Sequence, residues 1–151
     1  MSFFIEPFLG VLAAFGLGRL WDWIKDRRNK GKLKENLRNE LEKCMNLLTG
    51  EGKLLPTMMW NSTVTSGDVK LLSFDERTNL SSVYFDIENH NYEAKRVRDS
   101  AVIAQTGPRD STRDGKKAAI WHWERLSKAL IENEKVLKQQ ISELLKESWW
   151  K

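Results

Sequence analysis

The pattern of apolar and polar positions divides the chain into an apolar start and a longer amphipathic remainder. The apolar start covers Phe3–Ile24, and within it Pro7–Gly18 carries no charged side chain. Trp21 and Trp23 follow, and a basic run comes next. An apolar core with an aromatic end and a cationic flank is typical of a membrane-spanning helix. The 22 residues of this segment also match the roughly 20 that a bilayer core of about 30 Å requires. We therefore predict a transmembrane anchor over 1–25.

Charged side chains inside this segment leave other interpretations open. Arg19 and Asp22 lie near one end, where a long cation extends its charged head to the headgroups, and Glu6 lies near the other end. A secretory signal peptide would need a basic start and a small-residue cleavage site, and this start has neither. An amphipathic helix in the interface would need a strong polar face, which 7–18 lacks. A buried core helix of a soluble protein is the third alternative.

A basic juxtamembrane segment over 26–34 follows the predicted anchor. This segment and the residue before it contain one acidic residue, Asp26, and six basic residues: Lys25, Arg27, Arg28, Lys30, Lys32 and Lys34. No comparable cluster precedes the span, so the positive-inside rule predicts an outside N-terminus and a cytoplasmic remainder. The protein would then be a single-pass protein of the cell membrane, and the same cations would attract anionic lipid.

One face of the predicted anchor carries an acid and three small residues at intervals of four: Glu6, Gly10, Ala14 and Gly18. Small side chains at this spacing let two helix backbones approach closely in lipid, where packing drives association. We interpret the face as a homo-oligomer interface, with Glu6 directed towards the neighbouring copy. The alternative is that glycine and alanine are simply frequent in membrane helices.

Composition is consistent with one domain behind the anchor, over 35–151. The chain has 151 residues, of which 30% are charged, and its formal net charge is +4. Because the cationic excess is local, it favours basic patches and argues against a protein that coats duplex DNA. Cys44 is the only cysteine, which excludes an internal disulfide and suits the cytoplasm.

Apolar residues spaced by three or four predict helices through this domain. A helix over 32–48 would bury one stripe, formed by Leu33, Leu37, Leu41, Cys44 and Leu48. Cys44 is then a small buried hydrophobic residue and not a nucleophile. A short helix over 57–66 would be capped by Thr57 and ended by Gly67 in a left-handed conformation.

Two longer helices complete the predicted fold. Ser73 and Glu76 form a capping box that begins a long helix. His90 in its polar middle is expected to be a surface or capping residue and not a metal ligand. The apolar stripe of a last helix over 116–147 skips one turn at Asn133–Glu134, which we interpret as a position that fixes register in an assembly. The predicted fold class is all-α: one N-terminal transmembrane helix, followed by a cytoplasmic helical bundle with a long C-terminal helix.

Helix-breaking residues dominate 105–115, so this segment is predicted to be a loop. With the neighbouring helix ends it supplies guanidinium groups, hydroxyls and glycine amides, which are the groups that bind phosphate. We expect an anionic ligand such as a nucleotide to contact Arg96, Arg98, Arg109, Arg113 and Lys117. The residue order of a Walker loop is absent. The alternatives are a solvated loop and one that contacts lipid headgroups.

A scattered set of packing residues in the middle of the chain resembles a pattern in small prokaryotic membrane proteins: Leu55, Pro56, Thr57, Trp60, Ser66, Gly67, Leu71, Leu72, Tyr84, Ile87 and Asn91. These proteins form an uncharacterised family with a single membrane anchor and a helical cytoplasmic domain. In architecture the chain is also similar to small CRISPR-associated membrane effectors. The resemblance covers about a third of the chain. It implies a helical domain behind one anchor and no particular activity.

These patterns favour two classes of function. The first is a membrane-anchored oligomeric effector, whose cytoplasmic domain senses an anionic second messenger and acts on the bilayer, as in antiviral defence. The alternative is a structural or accessory membrane subunit that docks a protein partner through its long helices. The sequence shows no nucleophile–base pair, metal-ligand cluster or carboxylate dyad, so we expect no enzyme, no metal and no cofactor.

Overall fold

The fold is built from α-helices joined by short connections. A computed structural model describes residues 5–107 and 113–150, with side chains over 16–107 and 114–150. The helices are α1 (Ile5–Leu47), α2 (Met58–Ser66), α3 (Phe74–Thr106) and α4 (Arg113–Lys146), with short 3-10 turns at Asp68–Leu71 and Ser148–Trp150. The described residues contain no strand, so the all-α prediction is confirmed.

Helix α1 is longer than the sequence pattern predicts. Residues 5–25 of the predicted anchor, the basic segment over 26–34 and residues 32–47 of the next predicted helix share one helix of 43 residues, about 65 Å in length. The basic run between the two apolar segments consists mainly of lysine, arginine and asparagine, and Gly31 is its only glycine. A single glycine costs a helix about 1 kcal/mol relative to alanine, which is too little to end it.

No helix in the described part of the chain combines the length and the apolarity that crossing a membrane requires. The apolar run at the start of α1 is interrupted by Glu6, Arg19 and Asp22. The predicted spanning helix therefore has no support from the described residues.

The hydrophobic core lies among the second half of α1, α3 and α4, with α2 packed over one side. Its most buried members are Leu37, Leu41, Cys44, Leu80, Tyr84, Ile87, Leu137, Ile141 and Leu144. This confirms the predicted apolar stripe on the second half of α1. Cys44 is buried as predicted, and burial together with the nearby charge of Glu40 raises the pKa of its thiol to about 12.

The predicted ends of α2 and α3 are partly confirmed. Gly67 ends α2 with a left-handed φ of 77°. The capping box at the start of α3 is present: the Glu76 amide donates to Ser73 Oγ at 3.2 Å, and the Ser73 amide donates to Glu76 Oε2 at 2.6 Å. The predicted cap of α2 is wrong, because the Thr57 side chain makes no capping hydrogen bond.

The helices on both sides of the predicted loop extend into it. Helix α3 continues to Thr106 and α4 begins at Arg113, so the first two and the last three residues of the predicted loop over 105–115 are helical. The acid Asp114 lies in the first turn of α4, where the partial positive charge of the helix end favours it. Residues 108–112 lie outside the described part of the chain.

Candidate functional site

The first half of α1 extends beyond the packed helices. All side chains from 16 to 29, which we call the projecting segment, are exposed. Large apolar side chains are exposed along one face of it, with exposed fractions of 66% at Leu17, 51% at Leu20, 69% at Trp21 and 45% at Ile24. Their spacing of three, one and three is that of a single helical face. A Cβ added at Gly16 or Gly18 would meet no neighbouring atom within 4 Å. The alternative of a buried core helix therefore does not describe this segment.

The predicted oligomer face lies on the same half of α1. Glu6, Gly10, Ala14 and Gly18 are all helical, so their spacing of four places them along one side of the helix. The side chains of the first three lie outside the described residues, and Gly18 is exposed.

An ion-pair cluster marks where the projecting segment ends. Glu76 pairs with Lys30 at 3.0 Å and with Lys34 at 2.7 Å. Desolvation raises the pKa of the Glu76 carboxyl, but hydrogen bonds from Lys34, the Ser73 amide and Lys30 outweigh it and lower the pKa to about 2. These ion pairs join the N-terminal end of α3 to α1. Two cations of the predicted juxtamembrane cluster, Lys30 and Lys34, therefore pair with a carboxylate of the same chain.

The C-terminal tryptophans pack onto this same region. Trp149 and Trp150 stack with ring centroids 4.0 Å apart, and both are partly buried against the core. The Lys34 ammonium lies 5.2 Å from the Trp149 ring, and the Trp150 indole N–H donates to the Leu144 carbonyl at 2.7 Å. These contacts place the pair against the helical domain.

Two buried carboxylates hold the segments that connect the helices. Glu40 on α1 is 5% exposed and accepts hydrogen bonds from the amides of Met59 at 2.8 Å and Trp60 at 3.3 Å. It thereby caps α2, the role predicted for Thr57. Glu40 also accepts from the Tyr84 hydroxyl at 2.9 Å, and burial together with the Glu40 charge raises the pKa of Tyr84.

The second buried carboxylate is Glu134 on α4, which is 4% exposed. It accepts hydrogen bonds from the amides of Gly50 at 2.6 Å and Gly52 at 3.1 Å. The polar break in the apolar stripe of α4 is therefore explained by a contact within this chain, because Glu134 holds the turn at Gly50–Gly52. This differs from the predicted role, which was to fix register in an assembly. His90 lies beside it, with its Nε2 3.9 Å from the Glu134 carboxylate and 3.0 Å from the Lys53 carbonyl. The prediction of a surface histidine is wrong, because only 4% of His90 is exposed.

The predicted anion-binding residues are distributed over different surfaces. Arg96 contacts Glu93 through two hydrogen bonds of 2.9 and 3.1 Å, and Lys117 is exposed on α4. Arg98 lies two positions after Arg96 and so points to a different side of α3. The structure does not bring these three side chains together. The side chains of Arg109 and Arg113 lie outside the described residues.

Arg98 lines a cavity of about 360 Å³ between α3, α4 and the turn at Gly50–Gly52. Its other walls are mostly apolar and include Trp123, Leu130 and Ile131. The Ser127 hydroxyl also belongs to the lining, and it is buried with no hydrogen-bond partner in the described part of the chain. We call this the Arg98 cavity. Its polar groups are the Arg98 guanidinium, the Ser127 hydroxyl and the Glu51 carboxylate, which pairs with Lys53 at 2.6 Å. The guanidinium, the hydroxyl and the Trp123 indole suit a small anion with an apolar part, which would bind away from Glu51.

The described residues contain no group of three histidine, cysteine, aspartate or glutamate side chains that could hold a metal ion. Comparison of the chain with protein-family models, with curated proteins and with solved structures gives no match.

Proposed function

We propose that this protein is a non-enzymatic membrane effector that places the first half of α1 in lipid and carries a ligand-binding helical body. The observation that supports it most strongly is the apolar face of the projecting segment. A contiguous apolar face that is exposed in the described part of the chain is typical of a membrane-contacting or protein-binding surface.

The energetics favour lipid as the environment of this face. Fully burying a large apolar side chain stabilises by about 1.5–3 kcal/mol. Leu17, Leu20, Trp21 and Ile24 are roughly half to two-thirds exposed. Their transfer into lipid would therefore contribute on the order of 5 kcal/mol. The exposed cations Arg27 and Arg28 would each add about 1 kcal/mol at an anionic surface.

We further propose that copies associate in the membrane through Glu6, Gly10, Ala14 and Gly18. The exposure of Gly18 supports this, since its surface is open to a neighbouring helix. In this proposal the N-terminus lies outside the cell and the helical body lies in the cytoplasm, as the asymmetry of basic residues favours.

The ligand in this proposal is a nucleotide second messenger or a similar anion in the Arg98 cavity. One wall of this cavity is the turn at Gly50–Gly52, which directly follows α1. A ligand that displaced this turn would move the C-terminal end of α1. Because the N-terminal half of the same helix enters lipid in this proposal, ligand binding would be linked to an effect on the bilayer.

An accessory subunit that docks a protein partner is the second candidate. Phe74, Phe85, Tyr92 and Ile103 are exposed on α3 at spacings of 11, 7 and 11. These spacings place all four within about 20° of one line along the helix. An apolar line of this kind suits a helical partner, as in coiled coils.

Vesicle flotation tests the membrane proposal. The full chain should float with vesicles of anionic lipid, and the double substitution Leu17→Glu with Leu20→Glu should abolish flotation. Phe85→Glu, which places the same charge on the exposed face of α3, is the matched control and should float as the wild type does. Flotation that survives the double substitution, or that Phe85→Glu also abolishes, would contradict the proposal.

Calorimetric titration with linear and cyclic nucleotides tests the ligand. Arg98→Gln should remove binding, whereas Arg96→Gln on the other side of α3 should leave it unchanged. Equal binding by both variants, or no binding by the wild-type chain, would remove the nucleotide proposal and favour the docking subunit.

A further inference from the structure

A second cavity lies between α3 and α4, on a different part of their interface from the Arg98 cavity. It has a volume of about 280 Å³, just below the usual range for drug-sized ligands, so it would hold only a small molecule. Its polar lining consists of Asp86, Asn89, His90, Glu93, Asn133 and Gln140, and Val136 and Leu137 supply apolar surface. The lining includes two carboxylates and no lysine or arginine. We call it the His90 cavity.

The histidine in this lining has one ring nitrogen without a partner. The side chain of His90 is only 2% exposed. Its Nε2 lies 3.0 Å from the Lys53 carbonyl, and because a carbonyl oxygen only accepts, Nε2 carries the proton. In the neutral ring Nδ1 is therefore a lone-pair acceptor, and it has no hydrogen-bond partner among the described residues. A buried acceptor without a donor is unfavourable, so a ligand that donates to it is favoured.

The neighbouring carboxylates add further acceptors. Asp86 makes no ion pair or hydrogen bond within the described residues. Glu93 accepts from one nitrogen of Arg96, and a carboxylate has lone pairs left for a second donor. Asp86, His90 and Glu93 are spaced by four and three, so all three lie on one face of α3.

We propose that the His90 cavity is a binding site for a small organic cation with several N–H donors, of the aliphatic polyamine class. An ammonium group of the ligand donates to His90 Nδ1 and to the Asp86 carboxylate, and such charge-assisted bonds are about twice as strong as neutral ones. The methylene chain lies along Val136 and Leu137. The side-chain amide oxygens of Asn133 and Gln140 accept hydrogen bonds from the remaining N–H donors of the ligand. This site does not depend on the proposed membrane contact, and it shares no lining residue with the Arg98 cavity.

Ligand binding in the His90 cavity should also affect the turn at Gly50–Gly52, which Glu134 holds. His90 joins the cavity to the Lys53 carbonyl, and the Glu134 carboxylate lies 3.9 Å from the same ring nitrogen. A ligand that fixes the ring therefore fixes the turn at Gly50–Gly52, and bound spermidine should slow hydrogen exchange at the amides of these two residues.

Spermidine is the probe for a test on the full chain in mild detergent. The chain has two histidines, so nitrogen NMR of selectively labelled histidine gives one signal set for the site and one internal control. Spermidine should shift the Nδ1 signal of His90 saturably, with a Kd below about 1 mM, and leave the exposed His122 unchanged. Sodium chloride at equal ionic strength should produce no such shift. No saturable shift of His90, or the same shift in His122, would overturn the proposal.

Two substitutions with opposite expected effects keep the test independent of folding. Asp86→Asn should weaken spermidine binding about tenfold, because it removes one charge-assisted bond. Asn133→Asp should strengthen it several-fold by adding a carboxylate to the lining. Glu88→Gln, on the exposed side of the same helix, is the matched control and should bind as the wild type does. Affinity that is unchanged in both cavity variants would overturn the site, whereas vesicle flotation should be unaffected by all three.

Discussion

The two halves of α1 belong to one helix but have opposite surroundings. In the first half Leu20 is 51% exposed, and in the second half Leu41 is fully buried. The first half exposes every side chain from 16 to 29, whereas the second carries a buried stripe of Leu37, Leu41 and Cys44. The apolar stripe of the second half is therefore packed within the chain, whereas the apolar face of the first half is exposed in the part of the chain that the structure describes.

The difference shows that helix continuity and helix environment are set by different features of the sequence. Continuity needs only the absence of strong breakers, and Gly31 alone does not end the helix. Environment is set by which faces are apolar. The proposed membrane contact of the first half rests on the second feature, and the substitutions below test each half separately.

The largest effect is expected when the same substitution, leucine to alanine, is made in each half of α1 and the losses in the free energy of unfolding are compared. Leu41→Ala should reduce the free energy of unfolding by about 3–4 kcal/mol, since it leaves a cavity in the core. Leu20→Ala should change it by less than about 0.5 kcal/mol, because the exposed side chain packs against nothing in the body. Chemical unfolding of the detergent-solubilised chain measures both, and equal losses would remove the distinction between the halves.

Removal of the Glu40 carboxylate should destabilise the packed half by about 3 kcal/mol. Glu40→Ala leaves the amides of Met59 and Trp60 and the Tyr84 hydroxyl without their buried acceptor. Glu42→Ala, two positions further on, removes only an exposed pair with Arg38 and should cost less than about 1 kcal/mol. Thermal unfolding followed by circular dichroism compares the two. A similar loss in both variants would contradict the structural role of Glu40.

Replacing a glycine by alanine in the turn at Gly50–Gly52, which follows the packed half of α1, should destabilise the fold by an amount that depends on the position. Gly52 has a φ of +62°, and a Cβ there would lie 2.9 Å from Leu130 Cδ2. Gly52→Ala should cost about 2 kcal/mol from backbone strain and crowding together. Gly50→Ala, at φ +84° with nothing within 4 Å, carries only the strain, about 1 kcal/mol. Equal unfolding midpoints for the two variants would refute the close approach of the turn to α4.

The ion-pair cluster between the two halves should make stability depend on pH. The folded-state pKa of Glu76 is lowered from 4.5 to about 2, so its contribution is present above pH 4.5 and is lost as the pH falls towards 2. We expect a loss on the order of 2 kcal/mol across this interval. Glu76→Gln should flatten the pH dependence, whereas Asp75→Asn at the exposed neighbouring position should retain it. A wild-type profile that is flat between these pH values would contradict the pairing.

The sequence predicted those features that depend on neighbours along the chain. The capping box at Ser73 and Glu76, the left-handed Gly67 and the buried stripe with Cys44 each rest on spacings within one helix. Local hydrogen bonding and helical periodicity determine all of them. The structure confirms them for that reason.

Buried polar residues were not predicted, because periodicity assigns charged side chains to the surface. Glu40 and Glu134 occupy positions next to or within the apolar stripes, between Leu37 and Leu41 and between Leu130 and Leu137. The signal that could have identified them is a carboxylate inside a stripe combined with a nearby turn that has amides to satisfy. His90 was missed for the same reason, since its partner at Lys53 is distant in sequence.

The central claim, that the first half of α1 enters lipid while the body stays outside it, is tested most directly by spin labelling. Burial raises the pKa of the Cys44 thiol to about 12, so this thiol should stay protonated and unlabelled at neutral pH. Nitroxide labels can therefore be attached at Leu20→Cys and, on the exposed face of the body, at Phe85→Cys. With anionic vesicles, we expect the label at position 20 to be accessible to oxygen and shielded from a water-soluble nickel chelate. The label at 85 should stay accessible to the chelate. Equal accessibility of both labels to the nickel chelate would contradict the account.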